Sequence, residues 1–382
     1  MSVPVLNVLM PVYNGEQYLH ESVESILSQT FSDFELFVID DGSTDQTFEI
    51  LASFAERDKR VHLLQNETNL GIVHSMNKLF KLVRAPYIVR HDADDISMPD
   101  RFEQQLTFLI AHPEVGLVSS QVEIIDGSGN HLDLVFFSGP LDNDTLQHEL
   151  LSRCPLCQTS VMFRSQLLGT VGLYDENLEL AEDYDLWLRM AEVTHLARLP
   201  LSLCKYRYHL TSVSHRRSGK LYRDVAESLK KAAARRFKLH VPDSLRKQIS
   251  HYYAWGAEKF CQAQDFDSAQ QCLVDALTSW PDLFVSGQIP VPIPDMRTRL
   301  KFADSVFQSA PSIVNKAQVR RQFLSNLIMK DVFEAATHNQ TEPIDANLWR
   351  ALRLNPNWLC NRGVISLGAR SAWRLIGRMI YR

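Results

Sequence analysis

An α/β fold built on a parallel sheet, followed by a mostly helical region, is what this 382-residue sequence predicts. Three observations carry the prediction. Short apolar runs alternate with helix-length patterns through the first 90 residues, polar loops containing Asp or Gly follow those runs, and strand-like runs stop near residue 215. The length suits two domains, or one large α/β domain with an appendage.

The elements follow in order. Strands are predicted over Leu6 to Val12, Phe34 to Ile39, Val61 to Leu64 and Tyr87 to Val89, with helices over 16–28, 45–57 and 71–83 between them. Alternation of this kind makes βαβ units, whose ligand-bearing loops lie at the carboxyl ends of the strands. Those loops are Tyr13 to Gly15, Asp40 to Ser43, Asn66 to Gly71 and His91 to Ser97. Pro99 opens a helix to about Ala111, and Val115 to Ile125 is a strand that ends at the turn Asp126 to Gly129. Leu132 to Phe137 reads as its hairpin partner. Ser160 to Phe163 and His195 to Tyr208 are strand-like, with a helix around Ala181 to Glu192 between them. The expected division is 1–215 for the sheet domain and 216–382 for the helical region. Within the latter, Ala254 to Pro281 resembles one tetratricopeptide-like hairpin, broken at Asp265 to Asp267, and Gln288 to Pro294 reads as a linker.

Composition narrows the function. A hydrophobic content of 45% and a charged content of 22% are those of a globular chain, which excludes wholesale disorder. The net charge of −5 gives no basic field for nucleic acid. Six scattered cysteines point to a reducing compartment rather than a disulfide scaffold, and Cys154 to Cys157 reads as structural. The amino-terminal stretch has no basic flank and is too short to span a membrane, so a cytoplasmic catalytic part is expected.

Two Asp-rich loops carry the chemistry. In Arg90, His91, Asp92, Ala93, Asp94 and Asp95, carboxylates one residue apart can face a single hard cation, magnesium or manganese, together with a diphosphate. A helix cap accounts for one such acid but not for three in four positions. In Asp40 to Asp45, one acid can accept hydrogen bonds from a base or ribose while Ser43, Thr44 or Asp45 caps the next helix.

Met10 to Gly15, Asp40 to Asp45, Asn69 to Gly71, Asp92 to Asp94 and Ala181 to Arg189 occur in an order that resembles family 2 of the inverting glycosyltransferases, which have a GT-A fold. The resemblance covers about residues 3 to 215. It implies transfer of a sugar from a nucleotide-diphospho-sugar, with UDP-sugars favoured, to a glycan or lipid-linked acceptor. On matching positions it implies that Pro11 and Tyr13 lie near the base, Asp41 binds the nucleoside, Asp94 ligates the metal, and Asp92 sits on the ribose or metal side. It further implies that the acid pair Glu182 and Asp183 supplies the catalytic base, assigned to Asp183; without the resemblance these acids also suit a helix amino end through its dipole. Tyr206 to Ser214 resembles the segment that closes over the donor phosphates, with Arg207 on phosphate and His209 on the metal or diphosphate.

Surface polysaccharide, lipopolysaccharide or glycoprotein glycan synthesis is the expected setting. Two other readings stand beside transfer. A nucleotidyltransferase would need a glycine-rich basic loop after the first strand, which Pro11 to Gly15 lacks; an idle binding protein would have lost Asp92, Asp94 or Asp183, which are present. In the helical region, nine Lys or Arg against Asp224 and Glu227 give 215–238 a net charge of +7, and 346–382 holds seven arginines and no acid. These stretches suit either peripheral contact with an anionic membrane or solvated helix faces.

Overall fold

The computed structural model describes residues 3–135, 142–209, 218–286, 289, 291–293, 295–310, 315–337, 342–361, 364 and 367. The chain divides into two units, residues 1–217 with 227–241, and residues 218–226 with 242–382.

The first unit carries strands β1 (Leu6–Val12), β2 (Phe34–Asp40), β3 (Val61–Gln65), β4 (Tyr87–Arg90), β5 (Ile96–Ser97), β6 (Val115–Ile125), β7 (Met162–Arg164) and β8 (His195–Arg207). Helices α1 (Glu16–Leu27), α2 (Thr47–Arg57), α3 (Ile72–Phe80), α4 (Arg101–Ala111), α5 (Asn143–Glu149), α6 (Gln166–Val171) and α7 (Glu182–Met190) connect them. The strands lie in the order β3, β2, β1, β4, β7, β6, β8, β5. The pairings of β1 with β2 and β4, and of β2 with β3, are parallel, as the alternating pattern predicts. Beyond β4 the sheet becomes mixed: β7 is antiparallel to both β4 and β6, β8 is parallel to β6, and β5 is antiparallel to β8.

Leu6, Val8, Met10 and Val12 of β1 share one buried cluster with Leu19, Val23 and Ile26 of α1, Leu51 and Phe54 of α2, and Phe102, Leu106 and Leu109 of α4. Leu9, between them in the pleat, is also fully buried, which is why β1 reads as a continuous apolar run rather than an alternating one. Covering both faces pushes polar function to the strand ends.

The expected hairpin at Leu132 to Phe137 does not form over its described part. Ile125 makes a single bridge to His131, residues 132–135 are not strand, and 136 and 137 lie outside the described residues. The reason is that β8, long enough to follow β6 over nearly its whole length, takes that edge.

In the second unit, α9 (Asp243–Gln262) and α10 (Phe266–Ser279) follow one another, with Asp265 capping α10 by accepting from the Ser268 amide at 3.1 Å. Helix α8 (Gly219–Arg236) begins in this unit and ends in the first. After α10 come α11 (Asp282–Val285), α12 (Met296–Ser309), α13 (Lys316–Thr337) and α14 (Glu342–Leu354). The stretch read as a linker is packed: Ile289, Val291 and Ile293 are buried, because their period-two apolar pattern gives an extended segment one face to hide. Its residues 288, 290 and 294 lie outside the described set, as do 210–217 and most of 362–382.

Candidate active site

The site assembles at the carboxyl ends of β1, β2, β4 and β8. Two loops are stapled first. Asn14, at φ 50°, donates its amide to Ser43 Oγ at 2.9 Å and accepts from the Thr44 amide at 2.9 Å, and the Gly15 amide donates to Thr47 Oγ1 at 2.8 Å. Asp45 Oδ2 accepts from the Glu16 amide at the start of α1, and Glu16 Oε2 from the amide of Gln46, the N-cap of α2, so the starts of the two helices are tied together. Tyr13 is left on the surface, 48% exposed, beside half-buried Pro11.

Asp41 has the opposite environment. It is buried; Oδ1 accepts from Asn66 Nδ2 at 2.7 Å and the Leu70 amide at 2.9 Å, and Oδ2 accepts from the Gly71 amide at 2.8 Å. Its carboxylate thus shapes the Asn66 to Gly71 loop. Gly42 makes that approach available: at φ +70°, an added Cβ would lie 2.5 Å from the Thr68 carbonyl carbon.

The loop after β4 contains a buried charge network. Arg90 is 1% exposed and donates through Nη2 to Asp92 Oδ1 at 2.6 Å, and through Nη1 to the His91 carbonyl. Burial opposes its charge, but Asp92, Tyr174 and Glu182 outweigh that and hold the guanidinium protonated. Arg101 is also fully buried; it donates to Ser97 Oγ at 2.9 Å, to the Arg90 carbonyl at 3.1 Å, and to His91 Nδ1 at 3.1 Å. A guanidinium can only donate, so His91 Nδ1 is the acceptor and its Nε2–H faces the Asp95 carbonyl at 3.2 Å. Burial and the Arg101 cation push the His91 pKa well down, so the ring stays neutral.

Asp94 faces His209, with Oδ2 and Nε2 2.9 Å apart. The Asp94 side chain is one-third exposed. Oxygen and imidazole nitrogen donors at an open edge fit a magnesium or manganese ion that takes its other ligands from phosphate and water. Among the described residues no three His, Cys, Asp or Glu side chains form a closed cage. Arg207, expected on phosphate, is 2% exposed, and its guanidinium donates to the Asp94 carbonyl at 2.8 Å, the Asp126 carbonyl at 3.3 Å and Glu21 Oε2 at 2.6 Å.

The amino end of α7 closes the cluster. Glu182 is buried, and burial followed by the Asp183 charge raises its pKa well above the ordinary value. Partly buried Asp183 is pushed up to about 6 by burial and by the Asp92 charge, against the Tyr184 amide and Arg90, which hold it down. Two motifs some 90 residues apart in sequence thus share one electrostatic environment. The rest of α7 is structural. Asp185 pairs with Arg189 at 2.8 Å, Arg189 donates to the Val171 and Leu173 carbonyls, and Trp187 packs edge-on against Phe163 at 5.8 Å between centroids.

Residue reading missed Arg90 and Arg101 as organisers, and Tyr18 and Glu21 as neighbours of Arg207. The first two had a legible signal, an arginine at each end of the Asp-rich loop; α1 gave none.

A family model described as glycosyl transferase family 2 matches residues 7–168. The amylovoran biosynthesis glycosyltransferase AmsE of Erwinia amylovora is 30% identical over 216 residues, which cover 56% of this chain and 80% of AmsE. The chain belongs to glycosyl transferase family 2. An uncharacterized glycosyltransferase of Haemophilus influenzae is 32% identical over 214 residues, 54% of this chain and 66% of the relative, just under two thirds of its length. Among solved structures, residues 1–349 of S. aureus TarS in complex with UDP match with a TM-score of 0.56 at 17% identity, covering 87% of this chain and 91% of that one. This likeness is one of fold: the family 2 chain has the GT-A type sheet followed by a helical region. Among the described residues no helix is long and apolar enough to cross a membrane.

Part of the basic stretch is ion-paired where it is described. Lys231 pairs with Asp175 at 2.6 Å, Arg235 and Arg236 with Glu192 at 2.9 and 3.5 Å, and Lys230 with Glu227 at 3.4 Å. Its residues 215–217 lie outside the described set.

Proposed function

We propose that this chain is an inverting glycosyltransferase that moves a sugar from a nucleotide-diphospho-sugar, a UDP-sugar by preference, to an acceptor hydroxyl in surface polysaccharide or related glycan synthesis. The observation that carries the reading is the convergence of Asp183 with the Arg90 and Asp92 loop, with Asp183 held near 6. A carboxylate so tuned is ionised at neutral pH and still basic enough to accept a hydroxyl proton. AmsE's role in amylovoran biosynthesis supports a polysaccharide product, and the UDP held by TarS supports a uridine donor.

In this mechanism the base lies against exposed Tyr13 and Pro11. Asp41 acts on the nucleoside through the loop it holds, and Asp92, fixed by Arg90, faces the ribose side. Asp94 and His209 are the residues that would hold a divalent cation, which would supply electrostatic stabilisation for the charge gained by the departing diphosphate. Asp183 takes the proton from the acceptor hydroxyl as its oxygen attacks the anomeric carbon opposite the diphosphate, so a single displacement inverts the configuration. All six cysteines are free thiols, which supports a reducing, cytoplasmic setting. The acceptor is a glycan or a lipid-linked one; the ion pairs along α8 favour its packing role over a membrane contact.

Thermal unfolding with UDP, dTDP, GDP and CDP sugars tests the donor site. UDP at 100 times its Kd with manganese is expected to add about 2.7 kcal/mol of stability, and chelator to remove the gain. No shift with any nucleotide would sink the reading and favour an idle binding module.

A further inference from the structure

We infer that Arg207 is a positioning residue for the cation pair, clamped by Tyr18 and Glu21 of α1, rather than a ligand of the donor phosphates. This rests on the proposed function above, whose cation pair it deepens. Four contacts converge on one buried side chain and its backbone. The Arg207 amide donates to Asp95 Oδ1 at 2.7 Å, Nε to the Asp94 carbonyl at 2.8 Å, Nη1 to the Asp126 carbonyl at 3.3 Å, and Nη2 to Glu21 Oε2 at 2.6 Å. The guanidinium also lies over the Tyr18 ring at 4.5 Å, and that ring meets His209 at 5.2 Å between centroids.

The chemistry of these contacts defines the role. A guanidinium has five N–H donors in a rigid fork and no acceptor, so it holds several carbonyls at fixed relative positions. Here it fixes the backbone of Asp94 from one side, while Tyr18 supports the ring of His209 from the other. Both members of the pair are therefore set by one anchor on α1. Glu21 is the guanidinium's ion-pair partner among the described residues, and its side chain is 59% exposed, so it can be altered at the surface without opening the core.

The alternative is a phosphate ligand kept in reserve, with Glu21 occupying Nη2 until a diphosphate displaces it. The two differ in what removal of Glu21 does. A positioning role predicts weaker cation binding; a reserve ligand predicts tighter nucleotide binding without any cation.

The test uses the full chain with Glu21→Gln, Tyr18→Leu and Arg207→Lys. Free Mn2+ is followed by its electron paramagnetic resonance signal in the presence of UDP, UDP binding is measured separately in EDTA, and unfolding is measured without ligand. Supporting residues around metal ligands typically change affinity 10-fold or more, so Glu21→Gln and Tyr18→Leu are each expected to raise the Mn2+ Kd by about 10-fold. The unliganded melting temperature and UDP binding in EDTA are expected to stay at wild-type values for Glu21→Gln. Unchanged Mn2+ affinity in both α1 variants would overturn the inference, as would UDP binding in EDTA that tightens in Glu21→Gln. Arg207→Lys keeps the charge but not the fork; wild-type Mn2+ affinity in that variant, folded, would also overturn it. A wild-type chain that binds neither Mn2+ nor UDP removes the functional reading itself, an outcome distinct from variants that bind as wild type does.

Discussion

Asp183 carries opposite demands. As the proposed base it must be ionised, yet burial and the Asp92 charge favour its protonated form. Asp183→Asn is expected to lower kcat by about 100-fold or more, with UDP affinity nearly intact; full turnover would remove it from that role. In wild type, kcat/KM is expected to fall below about pH 6, tenfold per unit, as Asp183 takes up a proton. The stability sign runs the other way. A carboxyl whose folded pKa lies above its unfolded one stabilises the fold at low pH and loses that contribution as pH rises through about 6. Asp183→Asn is therefore expected to melt at a higher temperature than wild type at pH 7.5, with the difference shrinking towards pH 5. A variant less stable at pH 7.5 would contradict the environment described.

At the level of elements, α7 shows how one short helix combines chemistry with structure. Its first turn presents Glu182 and Asp183; its last holds Arg189, which reaches back to Asp185 and to the carbonyls that end α6. The Asp185 side chain is 2% exposed, so losing its partner leaves a buried carboxylate. Arg189→Met is expected to cost about 3 kcal/mol or more, read as a lower urea midpoint; a change below 1 kcal/mol would show the pair to be expendable. The strands and helices of the first 90 residues were legible to within three residues at each end, because each has a strong period and the loops are marked by Asn, Asp and Gly. The partner of β6 was not legible. Leu132 to Phe137 has a strand-like pattern, and only the competition of β8 for the same edge excludes it.

For the whole molecule, the residues of the proposed donor site all belong to the first unit. Hydrogen exchange with UDP and Mn2+ is expected to gain protection at 66–71, 90–97 and the start of α7, and to stay unchanged over 242–361. Protection gained mainly in the helical unit would move the ligand there. Periodicity determined the α/β architecture and the carboxyl-end loops, since a buried strand and an amphipathic helix write different periods into the chain. Motif order determined the family, and with it the chemistry to look for. Tertiary structure alone decided which acids are available. Asp41 is engaged by loop amides and Arg207 by carbonyls, whereas Asp94 meets His209 across 115 residues of chain and Asp183 acquires its pKa near 6 from burial and a charge on another loop. Solvation and long-range charge depend on what surrounds a side chain, and sequence neighbours do not specify those surroundings.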